Sequence, residues 1–182
     1  MALKATIFKA DLQLSDIDRH HYQNYSLTLA RHPSETDERM LLRLAAFAFN
    51  ASDRLEFTRG ISTDDEPDLW QKSLSDEIEL WIELGQADEK RIRRACGRSN
   101  RVILYPYGER SALPWWQQNR DALLRFKHLE VRFLAPDNPS ALTALVQRNM
   151  TLTATIQEGQ LWLSDGQNEV TIQAEPWQVP EA

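Results

Sequence analysis

Apolar and polar residues alternate from Leu3 to Leu14, the two-residue period of a half-buried strand. Ser15-Asp-Ile-Asp18 reads as a turn, and a second strand over 20–30 completes an antiparallel hairpin. The period then changes. Pro33-Ser34 opens a helix, with Ser34 as its N-cap and Asp37 three residues on, and apolar residues at 41, 44, 45 and 48 make a buried stripe that ends near Asn50. A short strand over 54–58 leads through Gly60 into an acidic loop. Residues 77–84 carry the clearest strand pattern. Ile78, Leu80, Ile82 and Leu84 line the face expected to pack on a helix, and Glu77, Glu79, Trp81 and Glu83 line the other. Gly85 ends this strand. A helix from about Asp88 to Arg98 follows, with Ile92, Ala95 and Cys96 inward. Val102–Tyr105 is a strand, 110–125 a helix, Leu129–Leu134 a strand and 138–148 a helix.

The end of the chain returns to short strands, Thr151–Gln157, Gln160–Leu163 and Glu169–Gln173, joined at Glu158-Gly159 and Asp165-Gly166, which are hairpin turn sequences. Such a meander is too small to stand alone. It is expected to join the N-terminal hairpin in an accessory antiparallel sheet over 1–30 and 149–173. The fold class is α/β (α+β), with an α/β core over 31–148 and a loose tail over 174–182, all within one 182-residue domain.

Composition adds bounds. With 42% hydrophobic and 26% charged residues the chain has the make-up of an ordinary globular protein, and no stretch has the continuous apolar run of a membrane helix. The N-terminus has a strand pattern and not that of a signal peptide, and a single cysteine, Cys96, allows no internal disulfide, so a cytoplasmic location is expected. The net charge of −6 argues against a general nucleic-acid coat, but the charge is unevenly placed. Ten acidic residues and only Lys72 as a base fall within 64–89, and six basic residues with no acid fall within 90–101. That is either a metal site beside a phosphate site or a helix whose end charges complement its dipole.

The chemistry centres on 64–85. Asp65, Glu66 and Asp68 lie in a loop stiffened by Pro67, and Glu83 lies at the C-terminal end of a strand, where ligands gather in α/β sheets. Two or three such carboxylates hold Mg²⁺, or Mn²⁺ in its place, which activates water and neutralises charge on a phosphate. The alternative is a solvated acidic loop. Glu38 extends the stripe of its own helix and is either salt-bridged or a metal or water ligand. Arg91 is the first choice for a phosphate-binding charge and Lys90 the second. His32 reads as a base or a polar cap, and Trp115-Trp116 as a base-stacking pair or core. There is no nucleotide-binding glycine loop, zinc spacing or hydrolase serine elbow.

The strings Arg31-His-Pro-Ser-Glu35, Glu38-Arg39-Met40, Phe57-Thr-Arg-Gly60, Asp64-Asp-Glu-Pro67, Leu80-Trp-Ile-Glu-Leu-Gly85, Trp115-Trp-Gln-Gln-Asn119, Met150-Thr-Leu152 and Ala154-Thr-Ile-Gln157 together resemble the YaeQ family over nearly the whole chain. The resemblance implies a variant of the PD-(D/E)xK nuclease core with extra β-structure. It implies that Glu38 matches the first-helix glutamate, that an acid of 65–68 matches the Pro-Asp half, and that Glu83 matches the acid of the Glu-x-Lys half. The lysine position is Gly85, so the cation must come from Lys90, Arg91 or Arg94, or the fold stands without the activity. The expected function is Mg²⁺-dependent phosphodiester hydrolysis of DNA or RNA. The alternative is a non-catalytic nucleic-acid-binding or transcription- or repair-associated protein on the same fold.

Overall fold

The protein is represented by a computed structural model that describes residues 4–59 and 65–180. The chain order is β1 (Thr6–Asp16), β2 (His21–Arg31), α1 (Asp37–Asn50), β3 (Leu55–Phe57), β4 (Leu69–Lys72), β5 (Ile78–Leu84), α2 (Glu89–Arg98), β6 (Val102–Tyr105), α3 (Glu109–Leu123), β7 (Leu129–Pro136), α4 (Pro139–Thr143), β8 (Asn149–Gln157), β9 (Gln160–Ser164) and β10 (Glu169–Gln178). This mixture of helix and sheet agrees with the α/β class. Gly60 and Asp64, at the head of the acidic loop, lie outside the described residues.

Two compact units share the chain. The first runs up to Ala51 and resumes over Pro136–Ala174, and the second takes Ser52–Ala135 and the chain from Glu175 onward. In the first, the strand order is β2-β1-β8-β9-β10. β1 pairs with β2 without a break from Thr6↔Arg31 to Asp16↔His21, and runs parallel to β8. The alternation seen in sequence becomes a buried face: Leu12 and Leu14 of β1, Leu152 and Ile156 of β8, and Leu161 and Leu163 of β9. The turn joining β8 to β9 has positive φ at both Glu158 and Gly159, and the Asp18 carboxylate accepts their two N–H groups at 2.8 and 3.0 Å.

Helix α1 belongs to this unit. Its residues from Met40 to Ala48 are all buried, Phe47 packs edge-on against Tyr25 at 5.1 Å, and Arg43 Nη2 donates to the Ala30 carbonyl at 3.1 Å. The N-cap is Thr36 and not Ser34, because residues 32–35 are drawn into a turn by the Glu35 N–H donating to the His32 carbonyl. Thr36 then accepts the Arg39 N–H at 3.1 Å. The helix expected over 138–148 stops at Thr143. Pairing with β1 overrides helix propensity there, since the Lys9 N–H takes the Arg148 carbonyl and Arg148 Nε takes that of Ile7.

In the second unit the order is β7-β6-β5-β4-β3, with β5, β6 and β7 parallel and β3 and β4 antiparallel additions. β4 was read from sequence as loop. Its four residues are held by the register Leu69↔Ile82 with β5 and by Trp70 packed edge-on to Trp81 at 6.4 Å. β5 is buried on both faces. Ile78 and Trp81 share a core cluster with Val102, Leu104, Leu129 and Val131 and with Ile92, Ala95 and Cys96 of α2, and Leu80, Ile82 and Leu84 are buried as well. The tail expected from 174 is instead strand to Gln178, because Trp177 stacks on Phe133 at 4.9 Å and Gln178 Nε2 donates to the Leu123 carbonyl at 2.9 Å. Burial pushes the Cys96 thiol up to about 11, so it stays protonated and serves as core.

One buried charge cluster anchors the first unit. The Glu35 carboxylate accepts from Arg39 Nη1 at 2.7 Å and from Arg43 Nη2 and Nε at 2.7 and 2.9 Å. Glu35→Ala takes from the buried Arg43 the carboxylate that holds its Nε and Nη2 and should cost about 3–5 kcal/mol in urea unfolding. Glu35→Leu combined with Arg43→Met should recover most of that loss, and a single variant of wild-type stability would overturn this account.

Candidate active site

The site is built from β4, β5 and α2 in the second unit. Asp68 stands immediately before the first residue of β4, whose Leu69 pairs with Ile82. The Asp68 N–H donates to the Ile82 carbonyl at 3.0 Å, and the Asp68 carboxylate accepts the Leu84 N–H at 2.8 Å. The carboxylate is thereby held against the C-terminal end of β5, where its charge acts on that of Glu83. Both residues are shielded from water, Asp68 with 5% of its surface exposed and Glu83 with 4%.

Arg91 stands on Glu83. Its Nε contacts both carboxylate oxygens, at 2.8 and 2.9 Å, and its Nη2 donates to the Glu66 carbonyl at 3.0 Å. Trp81, two residues before Glu83 on the same strand face, adds an Nε1–H bond to Oε1 at 3.0 Å. Asp88 caps α2 by accepting the Arg91 N–H, which fixes where the helix starts and so where Arg91 sits. The balance of these forces raises the Glu83 carboxyl above the ordinary glutamate value. Burial is the largest cause, Asp68 adds repulsion, and Arg91 and Trp81 oppose both.

The acids of the 65–68 loop divide clearly. Asp68 joins Glu83. Asp65 points to solvent with 86% of its side chain exposed, and Glu66 turns its carboxylate to the Arg59 N–H while giving its carbonyl to Arg91. Arg91, Arg94 and Arg98 follow one face of α2 at helical spacing, and all three reach the loop. Arg98 Nη1 donates to the Asp65 carbonyl at 3.0 Å and packs over the Trp81 ring, and Arg94 lies 3.8 Å from the Asp65 carboxylate. The place of Arg94 in the i, i+3, i+7 row with Arg91 and Arg98 is the sequence signal for this shared face. Trp81 was overlooked as a donor, although its i, i+2 relation to Glu83 marks it.

Other candidates lie elsewhere. Lys90 is exposed and has no partner among the described residues. Glu38 is half-buried in the first turn of α1, in the first unit. His32 holds Ser34 at 2.8 Å as a polar cap. Trp115 donates to the Ala87 carbonyl and packs on the core with Trp116. Gly85 has φ +98, a left-handed conformation that strains any side chain, so a cation two residues after Glu83 has no unstrained place on this backbone. The cation beside Glu83 comes from α2 instead.

The raised carboxyl has a consequence for pH. Folded protein keeps the Glu83 proton where the unfolded chain has released it, so stability falls as pH rises through the window above the ordinary glutamate value. Urea titrations of wild type and Glu83→Gln from about pH 4 to pH 8 check this, spanning the ordinary carboxylate range. Wild type should lose stability relative to the variant as pH rises. A flat difference, or one of opposite sign, would refute the dominance of burial.

A family model described as YaeQ protein matches residues 1–174. The chain is 48% identical over 180 residues to the uncharacterized protein YaeQ of Escherichia coli K12, covering 99% of each, and equally so to that of Salmonella typhi. The crystal structure of the YaeQ protein from Xanthomonas axonopodis pv. citri superposes with a TM-score of 0.93 at 46% identity, over 97% of this chain and 99% of that one. That of the Pseudomonas syringae YaeQ protein gives 0.88 at 35%, over 96% and 97%.

Proposed function

The chain belongs to the YaeQ family, and we propose that it is a metal-dependent nuclease on a PD-(D/E)xK-like core. The observation that carries this is the two buried acids, Asp68 and Glu83, at the C-terminal end of β5, with Arg91 from the next helix upon Glu83. Pro67-Asp68 supplies the Pro-Asp half of the motif, Glu83 the following acid, and Arg91 the cation that Gly85 cannot. The donor set suits Mg²⁺ or Mn²⁺, hard ions that take one or two carboxylates and complete their shell with water. Asp68 and Glu83 would hold the ion, which when bound supplies an activated water and offsets charge on the phosphate. Among the described residues no third acid, histidine or cysteine joins them, so water and substrate oxygens complete the shell.

The chain's own residues do the rest. Trp81 fixes the Glu83 carboxylate through its indole N–H, and the Leu84 N–H fixes that of Asp68. The arginine row of α2 provides charge for a nucleic-acid backbone, with Arg91 nearest the acids. Mn²⁺ calorimetry is the test: wild type should bind at one site, and Asp68→Asn and Glu83→Gln should each abolish binding and cleavage of DNA or RNA while circular dichroism stays native. Full cleavage by Glu83→Gln would end the nuclease reading.

The contacts of Arg91 with both Glu83 oxygens favour a second reading, a non-catalytic nucleic-acid-binding protein in which the pair is structural. Binding would then persist in EDTA and in Glu83→Gln, and fall steeply with salt.

A further inference from the structure

Arg91 occupies the carboxylate that the metal needs. Its Nε contacts both Glu83 oxygens, so a cation and the guanidinium compete for the same lone pairs. The two partners are unequal in exposure: 28% of the Arg91 side chain is open to solvent, against 6% for Glu83. A solvent-borne anion can therefore reach the guanidinium without entering the core. Phosphate oxygens match the donor geometry of arginine as well as a carboxylate does. Arg94 and Arg98 lie on the same helix face and are more exposed, which leads an anionic backbone toward Arg91.

We propose that Arg91 is a phosphate-operated latch: it closes Glu83 in the free protein and releases it when a phosphodiester takes the guanidinium. The inference rests on the metal reading above. It makes metal and phosphodiester binding mutually reinforcing, because whatever draws Arg91 off Glu83 strengthens the ion's site, and the coupling is reciprocal. It also restricts the loaded site to protein already holding its anionic substrate.

Mn²⁺ titration by calorimetry, with and without dimethyl phosphate as the simplest phosphodiester, is the experiment, made on wild type, Arg91→Gln and Arg94→Gln. In wild type dimethyl phosphate should tighten Mn²⁺ binding by about five- to a hundredfold, the usual span of such couplings. Arg91→Gln should bind Mn²⁺ tightly without it and gain nothing from its addition. Arg94→Gln removes the same charge from the same helix face without touching Glu83, and should behave as wild type. Equal Mn²⁺ affinity in wild type and Arg91→Gln, unmoved by dimethyl phosphate, overturns the latch and leaves the metal site standing. Enhancement in all three proteins alike also overturns it, since net charge would then be the cause. Absence of Mn²⁺ binding in every native-folded protein under both conditions overturns the metal reading and the latch with it. Where Arg91→Gln fails to fold, a wild-type Mn²⁺ affinity unmoved by dimethyl phosphate still overturns the latch.

Discussion

Two carboxylates held near one another at the end of a strand, out of reach of water, repel each other and forfeit hydration. Asp68 and Glu83 are in that position, and the guanidinium of Arg91 is what makes it tolerable. The same contact sets much of the second unit. To put Arg91 on Glu83, α2 must lie over the Trp81 face of β5, which packs Ile92, Ala95 and Cys96 against Val102 and Leu104. Arg94 and Arg98 then fall against the Asp65-Glu66 loop and hold it through its backbone carbonyl and carboxylate. Helix placement, loop position and the electrostatics of the acids thus follow from one ion pair.

That arrangement is not what stability alone selects. A buried ion pair returns little net free energy relative to apolar residues of the same volume, and burial still holds the Glu83 carboxyl above its ordinary range despite its donors. The Glu35 cluster of the first unit is the instructive contrast. There one carboxylate meets two arginines, which is the pattern of a structural anchor. At the end of β5 a second acid, Asp68, instead adds its repulsion to the burial of Glu83, and a carboxyl perturbed in this way is a mark of sites that bind something.

Much of this was legible in the chain. The alternation of β1, the pattern of β5, the inward residues of α2 and the acids of the 65–85 region are all local signals, and each reappears in three dimensions. What was not legible depends on partners distant in sequence. β4 is four residues long, too short to show a period, and exists through its register with β5. Alternation located the two faces of β5, but only the arginine eight residues later accounts for a buried carboxylate at Glu83. Among Asp65, Glu66 and Asp68, composition offers no ranking. The bond from the Leu84 N–H to the Asp68 carboxylate does.

The position of the cation follows from backbone geometry. β5 ends at Gly85 because the chain turns there with a positive φ, its N–H still bonded to the Tyr105 carbonyl. A lysine at that position would be strained, and on a rigid strand it would also be fixed relative to Glu83. Moving the charge to the first turn of α2 places it on a separate element, on a long side chain more than a quarter open to solvent. Arginine adds a planar set of donors that suits phosphate and carboxylate alike. A strand lysine can only accompany the acids. On the proposed latch, a helix arginine of this reach chooses between them and an incoming anion, and the glycine that excludes the first arrangement leaves that choice to α2.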